Sequence, residues 1–242
     1  MSEVVGTIPE ERARRLLAAS STIQYRLGLT DYLGHTSMRT PQPGRYLVKP
    51  KHSRTVRAGD TVAPEDFIVV DGDGRLVEGG AAPPSEVFIH TEIFRRRPDV
   101  QVVIHTHQPL ATLMGVLDAP ILPLLHAQSP LVEVPPPVWP CSLLVQDRDL
   151  GAQLAAALGD ASLAHLQGHG IVSVAATIEE ATVNALHLEQ LAKANLEVLK
   201  TGRTPRVVPP DQIARLREQL AGVEGRWAYY ASVAGADDTL LA

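Results

Sequence analysis

Val102-Val103-Ile104-His105-Thr106-His107 constrains this chain more than any other segment. Its apolar, β-branched start reads as a buried strand, and on a strand residues two apart point to the same face. His105 and His107 therefore sit side by side, and each ring needs a hydrogen-bond partner or a metal ion if it is buried. A lone pair of this kind is also compatible with satisfied core or surface histidines, so its company decides.

That company is a third histidine and a carboxylate. Leu166-Gln167-Gly168-His169-Gly170-Ile171 places His169 in a turn between the apolar stretches Ser162 to Leu166 and Ile171 to Val174, with glycines that permit positive φ or close backbone approach. Viewed alone, His169 reads equally well as an ordinary turn histidine. Upstream, Pro83-Pro84-Ser85-Glu86 precedes a helix in which Ser85 is the expected N-cap and Glu86 the first residue, against the positive end of the helix dipole. Glu86 and His90 are four apart and share a face of that helix. Three histidines and a glutamate with one position left for substrate make a catalytic inventory rather than a closed structural one.

Five segments, Gly34-His35-Thr36-Ser37-Met38-Arg39, Tyr46-Leu47-Val48-Lys49-Pro50, Pro84-Ser85-Glu86, His105-Thr106-His107 and Gly168-His169-Gly170, follow one another in the order found in the class II aldolase/adducin family. From about Arg12 to Lys200 the chain resembles that family's metal-dependent sugar-phosphate aldolases of the fuculose-phosphate type. The resemblance implies an α/β fold, a three-layer α/β/α arrangement around a central, largely antiparallel sheet. It implies one divalent metal ion per chain, held by His105, His107 and His169, with Glu86 in or beside the metal shell as acid/base and His90 behind, fixing Glu86 or a ligand. Imidazole ligands accept zinc, manganese, cobalt or iron alike. It further implies a homotetramer with the site at a subunit boundary, where Tyr229 and Tyr230 are candidates to contact substrate in the neighbouring copy.

The departures from the aldolase pattern concern phosphate. Such aldolases carry Gly-Asn, a Thr-Pro-Ser/Thr-Gly loop and two serines before the glutamate, whereas this chain has Gly34-His35, Lys49-Pro50-Lys51-His52 and Pro84-Ser85. Small hydroxyls and open backbone donors suited to phosphate are largely replaced by basic side chains. Arg39, Lys51 and His52 are candidates to neutralise a substrate carboxylate, with Ser85 beside them, and His35 to hydrogen-bond it or move a proton. Lys51 and Arg54 read equally well as an ordinary solvated loop. Counting onward from the histidine pair puts His126 where the aldolases have a tyrosine proton donor.

These replacements resemble the family's hydroxyaromatic acid decarboxylases, which act on dihydroxyphthalate or hydroxypyridine dicarboxylate. The expected activity is metal-dependent carbon–carbon cleavage of a small carboxylate, with Glu86 the first choice to protonate the ring carbon and His35 and His126 behind it. The alternatives are a class II aldolase, or a related epimerase or dehydratase, on a sugar-like substrate, and a non-catalytic adducin-like interaction module. The last has no need of three histidines and a glutamate together.

At 242 residues and 45% hydrophobic the chain is long enough for one sizeable core, so residues 1–242 are expected to form a single domain ending in a helical tail from about 209. A net charge of −5 gives no global basic field for nucleic acid, and no apolar run approaches the ~20 residues that cross a bilayer. The single Cys141 supports no internal disulfide framework; a soluble, cytoplasmic protein is the expectation. Helices are predicted for Glu10 to Leu29, near Leu110 to Gly115, from the Thr177/Glu180 capping box to about Lys200, and for Asp211 to Leu220. Strands are predicted at Tyr46 to Val48, Phe67 to Val70 and Arg75 to Val77, the last two joined through Asp71-Gly72-Asp73-Gly74. Pro120 to Pro140, with three consecutive prolines, reads as a stiff wall or loop. Trp227, Tyr229 and Tyr230 need a surface to bury them, from this chain or a neighbour.

Overall fold

Short β-branched runs separated by turn residues become the strands of one sheet. The computed structural model describes residues 8–53 and 62–236, so Arg54 lies outside the described residues. Its strands are β1 (His35–Arg39), β2 (Arg45–Val48), β3 (Ile68–Asp71), β4 (Leu76–Glu78), β5 (Val102–Thr106), β6 (Val138–Trp139), β7 (Leu163–Leu166) and β8 (Gly170–Ala175). They lie in the order β4-β3-β2-β1-β5-β8-β7-β6. Every neighbouring pair is antiparallel except β6 with β7 at one edge. The sheet is thus largely antiparallel, as the resemblance implied.

Helices cover both faces. On one face α1 (Glu10–Arg26), α3 (Pro109–Leu117), α5 (Ile178–Lys200) and α7 (Glu224–Ala234) close a core that includes Leu17, Ile104 and Leu188. On the other, α2 (Val87–Arg96) and α4 (Arg148–Leu158) cover Val103, Ile89 and Leu154. The remaining helix, α6 (Pro210–Gln219), packs near a 3-10 turn at Ser129–Val132. Among the described residues, no helix is long and apolar enough to cross a membrane.

Local chemistry explains most boundaries. The opening helix stops at Arg26 rather than Leu29, because Gly28 takes φ +75° and turns the chain out. Thr177 caps α5 by accepting the Glu180 amide at 3.2 Å. The proline-rich stretch is not loop throughout: Val138–Trp139, directly after the three prolines, forms the edge strand β6. An edge tolerates prolines because one side of it needs no ladder hydrogen bonds.

One tertiary device sets the end of the histidine strand. The Glu189 carboxylate on α5 accepts the Leu110 and Ala111 amides, each at 2.9 Å, and so ties down the free N-terminus of α3 just after His107. Gln108 bonds the Ala185 carbonyl at 3.1 Å and accepts the Thr106 hydroxyl at 2.9 Å. The short turn between β5 and α3 is thereby held from the opposite helix.

Candidate active site

β5 runs between β1 and β8, and its alternation sorts its side chains: Val102 and Ile104 join the α1/α5 core, Val103 the α2/α4 core. His105 has the parity of Val103 and faces α2, with His107 two residues on. Their Nε2 atoms lie 3.0 Å apart. His105 Nδ1 lies 2.9 Å from the Ile171 carbonyl, an oxygen that can only accept, so that nitrogen carries the proton and Nε2 keeps its lone pair.

His169 arrives from the turn between β7 and β8, where Gly168 adopts φ +65°. Gly170 permits the approach: a Cβ there would sit 2.3 Å from the Thr106 carbonyl oxygen. Both ring nitrogens of His169 are buried without a hydrogen-bond partner. Nε2 lies 3.4 Å from Glu86 Oε1, and His105 Nε2 is 3.9 Å from Glu86 Oε2. One ligand atom from each of Glu86, His105, His107 and His169 can be chosen so that all lie within 4.8 Å of one another.

Glu86 is the N-cap of α2 rather than its first residue, so Ser85 falls in the exposed turn before it and caps nothing. The Glu86 carboxylate makes no capping bond and turns to the histidines instead, held by the Val145 amide at 2.9 Å. Burial pushes this carboxyl up, but the His169 contact, the His105 ring and the Val145 amide together outweigh it and hold the group at about 2. Burial lowers His105 and His107, which keeps both rings neutral. Converging imidazole lone pairs, orphaned ring nitrogens and one anionic oxygen are costly when left together in a protein interior, and they fit a divalent cation.

Behind the cluster lies a second histidine pair. His35 Nδ1 and His90 Nε2 are 2.6 Å apart, and His90 Nδ1 is 2.6 Å from Ser37 Oγ. His90 therefore braces His35, not Glu86 or a metal ligand. His35 Nε2 stands 4.0 Å from Glu86 Oε2.

Glu86 and His35 open onto a cleft of about 180 Å³. Tyr32, Leu33, Pro50, Pro84 and Leu144 give it apolar walls, and Lys51, His52 and Ser85 stand with them at its lining. The Tyr32 and His52 rings are 5.9 Å apart. Lys49 lies nearby but inside, with 4% of its surface exposed and Nζ donating to the Gly34 carbonyl at 3.0 Å; burial lowers it to about 8.

Other expected residues fall elsewhere. Arg39 does not reach the cleft: its guanidinium donates to the carbonyls of Val100, Phe94 and Arg97 and lies over the Phe94 and Tyr46 rings. A strand advances ~3.3 Å per residue, so four positions beyond His35 put it at the far end of α2. His126 sits exposed in the turn before the 3-10 helix and is not among the gathered ligands. Tyr229 and Tyr230 belong to α7, on the opposite face of the sheet; Tyr230 OH accepts Gln190 Nε2 at 2.9 Å, while Tyr229 is 63% exposed. Trp227, by contrast, is buried in this chain's own core.

Sequence reasoning missed Tyr32, Leu144 and the Val145 amide as parts of the site. It also missed Ser37, whose i, i+2 relation to His35 on β1 was a usable signal.

The family described as Class II Aldolase and Adducin N-terminal domain matches residues 14–196. The 3,4-dihydroxyphthalate decarboxylase of Arthrobacter keyseri is 29% identical over 250 residues, which span 94% of this chain and 100% of that protein. The L-fuculose phosphate aldolase of Methanococcus vannielii is 33% identical over 137 residues, 54% of this chain and 69% of that one. Among solved structures, an aldolase II superfamily protein from Pseudomonas syringae superimposes with a TM-score of 0.80 at 24% identity, covering 95% of this chain and 96% of the other. That likeness shows the fold.

Proposed function

This chain belongs to the class II aldolase and adducin family, and from that premise we propose that it is a metal-dependent lyase that decarboxylates an ortho-hydroxy aromatic acid of the dihydroxyphthalate or hydroxypyridine-dicarboxylate kind. One observation carries the reading. The cleft beside the Glu86 and histidine cluster has apolar walls and imidazole and ammonium groups, and of a phosphate's glycine-and-hydroxyl cradle its described lining keeps one glycine, Gly34, and one serine, Ser85. At about 180 Å³ it is smaller than the ~300–1,000 Å³ typical of drug-sized ligands and suits a single planar ring. The dihydroxyphthalate decarboxylases among its relatives support the same substrate class.

His105, His107 and His169 would hold the cation, and Glu86 lies beside them. When bound, a divalent ion there supplies Lewis acidity, drawing off negative charge as the carbon–carbon bond breaks. Glu86, ionised at neutral pH, takes the proton of the substrate hydroxyl. It returns a proton to the ring carbon as carbon dioxide leaves, and the net reaction consumes one proton from solvent. Lys51 and His52 hold the second carboxylate at the rim, and Tyr32 and Leu144 confine the ring and limit water.

The donor set serves zinc, manganese, cobalt or iron, and the choice among them rests with metal analysis. Exposed apolar side chains, Leu144 at the cleft with Leu143 before it and Leu113, Val116 and Leu117 on α3, support assembly of copies into a homotetramer. The proposed assembly would bring His126, Tyr229 and Tyr230 to that boundary, to meet a neighbouring copy's substrate.

Carbon dioxide release from a panel of hydroxyaromatic dicarboxylates by the metal-loaded protein, set against carbonyl release from sugar phosphates, tests the assignment. Decarboxylation that stops on chelation and returns with metal is the expected result. Sugar-phosphate cleavage without decarboxylation would return the chain to the aldolases, the reading its fuculose-phosphate aldolase relative favours. Turnover of neither would favour an adducin-like binding role.

A further inference from the structure

Ser37, His90 and His35 form an unbranched buried chain, and its proton count fixes its direction. The contacts run from Ser37 Oγ to His90 Nδ1 at 2.6 Å and from His90 Nε2 to His35 Nδ1 at 2.6 Å, ending at His35 Nε2 beside the cleft. Both rings are buried, and their hydrogen-bond contacts are to each other and to a hydroxyl rather than to a carboxylate, so each is neutral and carries one N–H, and serine carries one O–H. Two arrangements satisfy both short contacts. In one, the serine proton turns to the Val103 carbonyl, both rings are protonated at Nδ1, and His35 Nε2 presents a bare lone pair. In the other, the serine donates to His90, His90 donates from Nε2 to His35, and His35 carries its proton on Nε2, facing the cleft.

The serine end of the chain selects the second arrangement. At the serine end, Val103 O is 3.4 Å away, a long contact to a carbonyl of a strand paired on both sides, whereas His90 Nδ1 is at 2.6 Å. That direction leaves the His35 proton on Nε2, the ring atom at the cleft. Beyond Ser37, among the described residues, the contact is the long one to the Val103 carbonyl, which cannot pass a proton onward, so the chain does not conduct protons. It sets a tautomer.

We infer that His35 serves as a fixed neutral hydrogen-bond donor to a substrate oxygen, not as a base, and that Ser37 and His90 are the positioning residues that hold its proton on Nε2. The functional half rests on the lyase reading above. The tautomer half does not, because it concerns this chain's resting hydrogen bonds. A neutral donor aimed where negative charge develops stabilises that charge without giving up its proton.

The test uses zinc-loaded protein with ¹⁵N-labelled histidine, with resonances assigned by loss in His35→Gln and His90→Gln. Long-range ¹⁵N–¹H spectra at neutral pH should show both His35 and His90 protonated at Nε2 and accepting at Nδ1. Ser37→Ala should move the His90 Nδ1 resonance toward that of an unbonded acceptor, and Ser37→Thr should restore it, a reversal that a loosened fold would not give. Protonation of His35 at Nδ1 overturns the proposal whatever the turnover. On a hydroxyaromatic acid, His35→Gln, which keeps an N–H donor, should exceed His35→Leu in kcat by ~10²-fold or more. Equal loss in the two variants overturns the donor role. The expected spectra with no turnover of any such acid would sink the lyase reading and leave the tautomer assignment standing.

Discussion

Histidines lie on both faces of the sheet, and what separates the two groups is their neighbours, since the solitary rings are as a group at least as buried as the clustered ones. On the α2 face, His105, His107 and His169 stand with ring centroids 4.9–5.0 Å apart around Glu86. On the α3 and α5 face, His165 packs against Gly115, and His187 meets Tyr230 edge-on at 6.2 Å. Burial lowers both solitary rings to about 4, with the Arg226 charge adding to the effect at His187. A buried histidine is therefore not in itself a sign of function here. On one face lone pairs converge on a common point and can bind a cation; on the other, each ring only penalises its own protonation.

The contrast breaks most visibly if the cluster is removed. Replacing His105, His107 and His169 together with alanine should abolish stoichiometric metal binding and turnover while leaving the far-ultraviolet dichroism of the fold. Single replacements should each weaken binding beyond the ~10–100-fold typical of residues that only support a ligand. Full metal occupancy by elemental analysis in the folded triple variant would show that the convergence does not bind the ion.

A smaller effect is expected at the far end of β1. Arg39 has the parity of His35 and Ser37, yet its donors are spent on three carbonyls at the end of α2. Arg39→Ala should cost roughly 1.5–3 kcal/mol in chemical unfolding, the range for charge-assisted bonds, with metal content and KM unchanged. A raised KM at unchanged stability would put Arg39 back in the cleft.

The smallest effect sharpens the other side of the comparison. The unfolded chain takes up a proton at His165 near pH 6.5, but the folded one only near pH 4, so below pH 6.5 the unfolded state binds more protons. His165 therefore withdraws stability as pH falls through that window, roughly 2 kcal/mol by pH 5, and none above it. His165→Phe should shrink the difference between the unfolding free energies at pH 7 and pH 5, read from urea titrations, by about that amount. An unchanged pH response would mean that other groups govern acid sensitivity.

Short-range patterns were readable because their causes are short-range. The parity of His105 and His107, the glycines around His169, the Thr177 cap and the Asp71 to Gly74 turn all depend on residues a few positions apart. The placement of Glu86 was legible to within one residue, its exact role in the cap being decided by a carboxylate that prefers the histidines to the helix end.

Sequence by itself determined the ligand inventory and the strand and helix faces that carry it, since side-chain direction follows from backbone period. Only the tertiary structure decided which polar groups are left free for chemistry. Arg39 and His35 share a strand and a face, yet one is spent on α2 carbonyls and the other opens on the cleft. The Val145 amide that holds Glu86 comes from 59 positions away, and the Glu189 carboxylate that anchors the turn after His107 from α5. Hydrogen-bond partners are assigned by proximity in space, and that proximity is created by the packing of helices on both faces of the sheet, which no local pattern in the chain records.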